Sequence, residues 1–128
     1  MTDTTLKVLL VDDIVEMREV LKAYLSMSGG FAVVGEAFDG HSAVDEARRT
    51  QPDAVVLDLG LPDMTGAEVI RDLRAAAPGC RLVVLSGRGH EALRAASDAG
   101  ADATIAKEAG FASATAQAIA TLCRGGEA

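Results

Sequence analysis

Five polar side chains lie at the ends of short apolar runs in the sequence. They are Asp12, Asp13, Asp58, Ser86 and Lys107. Two like charges about 4 Å apart repel by roughly 4 kcal/mol at an effective dielectric near 20, so three neighbouring carboxylates need a counter-charge. Hard oxygen ligands with room for water suit Mg²⁺ (or Mn²⁺). If the fold brings these side chains together, their combination is typical of a divalent-cation site.

The apolar runs that precede these residues predict five β-strands. Most of the runs are apolar without alternation, a pattern typical of strands that are covered on both faces in a parallel sheet. The runs are Leu6–Val11, Phe31–Phe38, Ala54–Leu57, Leu82–Leu85 and a weaker Ala101–Ala106.

Helical patterns separate the runs. One apolar stripe at positions i, i+3, i+4, i+7 and i+8 predicts the first helix, which should end at Gly29-Gly30. A capping-box pattern predicts that another helix begins after Thr65, and Asp63 before it is expected to be a loop or cap residue. The stripe of the first helix consists of Met17, Val20, Leu21, Tyr24 and Leu25.

The alternation of strands and helices predicts a doubly wound α/β fold. A five-stranded parallel sheet with right-handed crossovers would lie between two layers of helices, in a three-layer sandwich. Ligands of such sheets bind beyond the carboxyl ends of the strands. The five polar side chains are therefore expected to meet at one edge of the sheet. We expect residues 1–128 to form a single domain.

Composition argues against several classes of function. The formal net charge of −7 disfavours a nucleic-acid partner, because phosphate backbones select Lys and Arg. No apolar run approaches the roughly 20 residues of a membrane span. The residues from Met1 to Thr5 lack the features of a secretory signal, so we expect a cytoplasmic protein. No Gly-rich phosphate loop follows the first apolar run, which argues against a nucleotide site.

Four segments that lie at the predicted strand ends resemble those of a known family. Together and in this order, they resemble the bacterial response-regulator receiver family over essentially the whole chain. The resemblance implies a flavodoxin-like sheet with strand order 2-1-3-4-5. The segments are Val8-Leu9-Leu10-Val11-Asp12-Asp13, Asp58-Leu59-Gly60-Leu61-Pro62-Asp63-Met64-Thr65-Gly66, Val84-Leu85-Ser86-Gly87, and Gly100-Ala101-Asp102 leading to Lys107.

The resemblance implies that Asp58 accepts a phosphoryl group. The donor would be a phosphohistidine on a sensor histidine kinase or phosphotransfer protein. Ser86 would donate a hydrogen bond to one phosphoryl oxygen, and Lys107 would pair with another. Phosphoryl transfer depends on positioning and charge neutralisation, which these residue types can supply.

The resemblance also implies a metal site. Asp13, Asp58 and the backbone carbonyl of Gly60 would bind Mg²⁺ directly, and Asp12 would act mainly through an ordered water or by orienting that shell. The same resemblance implies that two further positions control the approach of attacking water. They are Gly60, two residues after Asp58, and Arg88, two residues after Ser86. Gly60 leaves the site open, whereas Arg88 would either cover it or hold the phosphoryl group.

Two positions depart from the family pattern. Thr104 stands where the family usually has the Tyr or Phe that reports phosphorylation. Either a hydroxyl-to-hydroxyl coupling between Ser86 and Thr104 replaces that ring, or the output is weakened or differently routed. Glu108 stands where Pro usually follows the Lys. The absence of Pro relaxes the loop.

The sequence therefore predicts a phosphorylation-switched signalling domain, which is not an enzyme but catalyses its own phosphorylation and dephosphorylation. Its fourth helix, fifth strand and fifth helix would act on an output domain, a partner or a second copy. The chain ends at Gly125-Gly126-Glu127-Ala128, so it is expected to be a stand-alone receiver or one cut from a longer regulator. Two alternatives remain open, a phosphorylation-independent interaction module of the same fold and a Mg²⁺-dependent phosphatase or hydrolase.

Overall fold

Five strands alternate with five helices in a computed structural model that describes residues 5–124. Residues 1–4 and 125–128, including the Gly125–Ala128 end, lie outside the described part. The elements are β1 (Leu6–Val11), α1 (Val15–Ser28), β2 (Phe31–Ala37), α2 (Gly40–Thr50), β3 (Ala54–Asp58), α3 (Gly66–Ala76), β4 (Arg81–Ser86), α4 (His90–Asp98), β5 (Ala103–Ala106) and α5 (Phe111–Cys123).

The five strands form one parallel sheet in the order β2-β1-β3-β4-β5. Two apolar cores lie on its two faces. On one face, α1 and α5 contribute side chains such as Leu21 and Ile119. On the other face, α2, α3 and α4 contribute side chains such as Ala43, Ile70 and Ala96. The predicted three-layer sandwich and its strand order are confirmed.

The strand ends differ slightly from the prediction. Asp58 and Ser86 are the last residues of β3 and β4 rather than the first residues past them. The strand β5 begins at Ala103, not Ala101. The strand β2 ends at Ala37, and Phe38 beyond it is 59% exposed. The hydrogen-bonded ladder therefore extends to the two predicted site residues and holds their backbones in register.

The predicted apolar stripe of α1 is wrong at two positions. Val20 is 47% exposed and Tyr24 is 38% exposed, whereas Leu21 and Leu25 are buried. The helix lies against the β2 edge of the sheet and against α5, so that a row spaced by four residues reaches the core. The periodicity identified the helix correctly but made its buried face too wide.

Side chains cap the N-termini of α2 and α3, the two helices that lie next to the β3–α3 loop. The predicted capping box of α3 is confirmed, because Thr65 accepts from the Glu68 backbone N–H and the Glu68 carboxylate accepts from the Thr65 backbone N–H. A second capping box joins Asp39 and Ser42 at the start of α2.

No helix within residues 5–124 is long and apolar enough to cross a membrane.

Candidate functional site

The parallel register brings the predicted site residues to one edge of the sheet. Val11 of β1 pairs with Leu57 of β3, so Asp12 and Asp58 follow neighbouring positions in adjacent strands. The Lys107 backbone N–H donates to the Ser86 carbonyl at 3.0 Å, which places Lys107 beside the end of β4. The structure brings the three aspartates and Lys107 together at the carboxyl edge of the sheet, and Ser86 ends the neighbouring strand β4.

Lys107 forms two ion pairs within this cluster. Its Nζ lies 2.7 Å from Asp58 Oδ1 and 3.1 Å from Asp12 Oδ2. Asp12 is 2% exposed and Asp58 is 7% exposed. Buried charges are costly unless they are paired and hydrogen-bonded, and one ammonium here offsets part of the charge of two carboxylates.

The three carboxylates can approach a single cation. Asp12, Asp13 and Asp58 each offer an oxygen, and these oxygens lie within 4.8 Å of one another. Asp13 is exposed, whereas the other two are buried. Three carboxylates and one ammonium leave two negative charges in excess, and the donors are all oxygen. This set of ligands and charges fits a hard divalent cation such as Mg²⁺.

Backbone groups hold the two buried carboxylates in place. The Ile14 N–H donates to Asp12 Oδ1 at 2.9 Å, and the Gly60 N–H donates to Asp58 Oδ2 at 3.1 Å. The second bond holds the start of the β3–α3 loop against the Asp58 carboxylate, so that Gly60 lies beside it. The role of the Gly60 carbonyl as a metal ligand stays a prediction.

Burial and charge shift the protonation equilibria of the cluster. Burial raises the pKa of Asp12, and the nearby Asp58 carboxylate adds to the rise, while hydrogen bonds from Ile14 and Lys107 oppose it. Burial alone would lower the pKa of Lys107, but the hydrogen bonds and negative charges of Asp58 and Asp12 together raise it. Both directions reflect an excess of carboxylates over ammonium in a weakly solvated site.

Ser86 is buried at the same edge of the sheet. Its Oγ accepts from the Arg88 backbone N–H at 3.0 Å, and the hydroxyl can in addition donate one hydrogen bond. Thr104 pairs in register with Val84, whereas Ser86 pairs with Ala106. The predicted coupling between the hydroxyls of Ser86 and Thr104 stays a prediction.

Arg88 extends towards Gly60. A Cβ at Gly60 would lie 3.2 Å from Asp58 Oδ2 and 3.8 Å from Arg88 Nη2. A side chain at position 60 would therefore contact both the Asp58 carboxylate and the Arg88 guanidinium. Arg88 has two predicted roles, partial cover of the site and contact with an anion there. Its position is compatible with both.

Asp63 is a cap, as predicted, but it caps a helix from another part of the chain. Its carboxylate accepts from the Gly40 N–H at 2.6 Å and from the His41 N–H at 3.0 Å, at the start of α2. His41 Nδ1 lies 2.5 Å from the same carboxylate. This contact ties the loop that follows Asp58 to α2, and no local sequence pattern indicated it.

The sequence analysis did not identify Arg18, which contacts the site at Asp12, or Glu36, which holds Arg18. Arg18 Nη1 donates to the Asp12 carbonyl at 2.5 Å, and Arg18 Nε donates to Glu36 Oε1 at 2.9 Å. A carboxylate near the end of an otherwise apolar run was a usable signal for Glu36. The identity of its partner depended on the packing of α1, for which the sequence pattern was misleading.

Two surface cavities lie apart from the carboxylate cluster. One, of about 640 Å³, lies between α1 and β2, and one of about 200 Å³ lies between α3 and α4. Neither is lined by the three aspartates, Ser86 or Lys107. The three aspartates and Lys107 lie instead at the carboxyl edge of the sheet.

Comparison with known proteins agrees with this architecture. The family model described as the response regulator receiver domain matches residues 8–118, and the chain belongs to that family. It is 35% identical to the chemotaxis protein CheY of Thermotoga maritima over 87 residues, which are 68% of this chain and 72% of that protein.

Solved receiver structures superpose closely on the chain. The response regulator domain of Thermotoga maritima CheB has a TM-score of 0.83 at 28% identity, covering 94% of this chain and 97% of that one. A LuxR-family two-component response regulator from Aurantimonas sp. SI85-9A1 has a TM-score of 0.85 at 33% identity, covering 94% and 86%.

Several relatives are longer than this chain. The match covers 25% of protein-glutamate methylesterase/protein-glutamine glutaminase 5 of Myxococcus xanthus and 39% of the nitrate/nitrite response regulator NarL of Escherichia coli. What those proteins do as wholes belongs to their further regions. Receiver domains themselves accept a phosphoryl group in two-component signalling and bind Mg²⁺ at an acidic pocket, and this chain is such a domain.

Proposed function

We propose that Asp58 is the phosphoryl acceptor of this receiver and that Asp12, Asp13, Asp58 and the Gly60 carbonyl hold the Mg²⁺ (or Mn²⁺) that the reaction needs. The observation that carries the proposal is the position of Lys107 Nζ, 2.7 Å from one Asp58 oxygen, at an edge where three carboxylates come within 4.8 Å. A site with this excess of negative charge suits a reaction in which a divalent cation and the phosphoryl anion bind together.

The proposed step transfers a phosphoryl group from a phosphohistidine of a histidine kinase or phosphotransfer protein. A carboxylate oxygen of Asp58 attacks phosphorus, a P–O bond forms, and the P–N bond to the donor imidazole breaks. The imidazole nitrogen keeps the bonding electron pair and takes up a proton. The signal ends when water attacks the acyl phosphate. This hydrolysis releases inorganic phosphate and restores the Asp58 carboxylate.

Each surrounding residue has a proposed part in that step. The cation, when bound, neutralises charge on the transferring phosphoryl oxygens. Lys107 moves its ammonium from the Asp58 carboxylate to a phosphoryl oxygen, since both compete for the same donor. Ser86 donates its hydroxyl proton to another phosphoryl oxygen. Arg88 would either cover the approach past Gly60 or contact the phosphoryl group. The domain thus promotes chemistry on itself and not on a separate substrate.

Phosphorylation is proposed to select an active conformation. A shift from mostly inactive to mostly active needs about 5 kcal/mol of differential stabilisation. Two or three charge-assisted contacts from Ser86 and Lys107 to the phosphoryl group are of that order. Lys107 directly follows β5 and Ser86 ends β4, so the surface of α4, β5 and α5 is the proposed output face. It would contact an output domain, a partner protein or a second copy.

The proposed setting is the cytoplasm, where receiver domains meet their kinases. Residues 1–128 are proposed to act as one receiver domain, alone or as part of a longer regulator. We propose no direct contact with nucleic acid or membrane, since the net charge of −7 repels both phosphodiester backbones and anionic lipid surfaces.

Backbone NMR with a phosphoryl mimic tests the assignment of the site. Beryllium fluoride added with Mg²⁺ is expected to shift the amide resonances of Gly60, Ser86 and Lys107 in the wild type. The same additions to Asp58→Asn should leave them within the range seen with Mg²⁺ alone. Equal shifts in both proteins would mean that another residue takes the phosphoryl group.

A further inference from the structure

Arg18 contacts the backbone of the acidic site from the first turns of α1. Its Nη1 donates to the carbonyl oxygen of Asp12 at 2.5 Å, and its Nε donates to Glu36 Oε1 at 2.9 Å. The Arg18 side chain is 14% exposed. The guanidinium is therefore held between two fixed acceptors, one at the end of β1 and one on the edge strand β2.

The carbonyl that Arg18 contacts belongs to the peptide that joins Asp12 to Asp13. The other polar groups of Asp12 are also occupied: its N–H donates to the Ala37 carbonyl at 3.1 Å, and its carboxylate accepts from Ile14 and Lys107. A peptide unit is planar, so a bond to its carbonyl also fixes the direction of the following N–H. The orientation of this peptide fixes the backbone position from which the exposed Asp13 side chain extends.

Glu36 makes it possible for a cation to stand this close to the metal site. An unpaired guanidinium beside three carboxylates would compete with a divalent cation for them. Here Glu36 offsets the Arg18 charge in part. Its second oxygen lies 2.8 Å from Lys22 Nζ, and Lys22 also pairs with Glu19 at 3.4 Å. Hydrogen bonds from Lys22 and Arg18 lower the pKa of Glu36 although partial burial opposes them, so the neutralising carboxylate stays ionised at neutral pH.

A planar guanidinium suits this position better than an ammonium. Arg presents several N–H donors in a rigid fork, so that two acceptors in different directions are bonded by one side chain. The register supports the arrangement from the strand side, because Glu36 pairs with Leu10 of β1 two residues before Asp12.

We propose that Arg18 is a positioning residue of the metal site, which fixes the Asp12–Asp13 peptide through the Asp12 carbonyl, with Glu36 as its clamp. This inference rests on the proposed cation site. Partners one step removed from a metal ligand commonly change metal affinity by a factor of 10 to 100 when they are removed. Because Arg18 acts on a backbone carbonyl and not on a ligand atom, we expect the lower end of that range.

The test is the Mg²⁺ dissociation constant, measured by calorimetric titration of the whole chain. Arg18→Met keeps most of the buried stem and removes the guanidinium, and it should raise the dissociation constant about tenfold. Arg18→Gln serves as a second variant if the first does not fold. The matched control is Lys22→Met, which removes the other cation on Glu36 from the same helix but has no contact with Asp12, and its dissociation constant should stay within about twofold of the wild type. The Asp13 amide resonance should also move in the Arg18 variants without metal and stay in place in the control.

The outcomes separate this inference from the proposed function. Tenfold weaker binding in the Arg18 variants alone supports it. An Arg18 variant that binds Mg²⁺ as the wild type does overturns it, as does an equal loss in Lys22→Met, which would point to the ion pairs of Glu36 in general. A wild type that binds no Mg²⁺ at millimolar concentration would instead overturn the proposed metal site itself.

Discussion

Lys107 neutralises part of a charge excess at the carboxyl edge of the sheet. Two buried carboxylates share its ammonium, and the Lys107 side chain is 15% exposed. Removal of the partner of a buried charge commonly destabilises a protein by 3–5 kcal/mol. The energetic role of Lys107 in the unphosphorylated domain is therefore testable apart from any transfer chemistry.

We expect Lys107→Met to lower the free energy of unfolding by about 3 kcal/mol in buffer free of divalent cations, because Asp12 and Asp58 then repel without a counter-charge. Urea denaturation measures this loss. Lys22→Met, which removes the partly exposed ion pairs of Lys22 with Glu19 and Glu36, should cost less than about 1 kcal/mol. A Lys107 variant as stable as the wild type would mean that solvent already screens the carboxylates.

His41 and Asp63 form a pH-dependent contact beside the site. The Gly40 backbone hydrogen bond, together with the hydrogen bonds of His41 and against the effect of burial, lowers the pKa of Asp63 to about 2, and Asp63 raises the pKa of His41. A raised histidine pKa stabilises the fold below the unfolded value of about 6.5, and this stabilisation is lost as pH rises through the folded pKa. A lowered Asp63 pKa stabilises the fold above an unfolded value of about 3.9, and that contribution is lost as pH falls towards 2.

An NMR titration of the imidazole resonances measures this contact. We expect Asp63→Asn to lower the His41 pKa towards its ordinary value, because the variant removes the nearest negative charge. The control Asp45→Asn removes a more weakly acting carboxylate of α2 and should change the His41 pKa much less. An unchanged titration curve in Asp63→Asn would show that the two side chains do not interact in solution.

At the scale of the elements, the strands position the chemistry. Parallel strands end at one edge, so the sequence was enough to place Asp12, Asp13, Asp58, Ser86 and Lys107 together. Each of these residues directly follows or ends an apolar run, and run ends can be recognised locally. The order of the strands, by contrast, came from the family resemblance, because an apolar run carries little information about its neighbours in the sheet.

The contacts of Arg18 and Asp63 could not be predicted in this way. Arg18 reaches Asp12 only because α1 packs on the core through the narrow Leu21 and Leu25 row, whereas the periodicity also favoured Val20. Glu36 reaches Arg18 after a register shift in β2 opposite Val8 and Leu9. Such contacts depend on relative placement of elements distant in sequence, which local patterns do not encode.

The start of α2 and the β3–α3 loop approach each other closely at Gly40. A Cβ there would clash with the Met64 side chain. We expect Gly40→Ala to displace the loop and to cost about 1–3 kcal/mol, as overpacking usually does. The matched control is Gly79→Ala, where no atom lies within 4 Å of the added carbon, and its stability should be unchanged or slightly higher. Equal stability of both variants in urea denaturation would mean that Met64 moves aside freely.

The whole molecule combines a rigid sheet with a site assembled from its loops. The sheet supplies buried carboxylates whose backbones are held in register, and the loops after β3 and β4 bring Gly60 and Arg88 to the same edge. The output face proposed for α4, β5 and α5 lies directly behind Ser86 and Lys107. A change of charge at Asp58 can therefore reach the surface through two residues at the ends of adjacent strands.

Intact-mass spectrometry after incubation with a small-molecule phosphodonor tests the central claim most directly. The wild type is expected to gain one phosphoryl group with Mg²⁺ present and none when the cation is chelated, and Asp58→Asn should gain none in either case. An adduct of the same mass on Asp58→Asn, or no adduct on the wild type under any condition, would contradict the account. The second result would favour an interaction module of the same fold that works without phosphorylation.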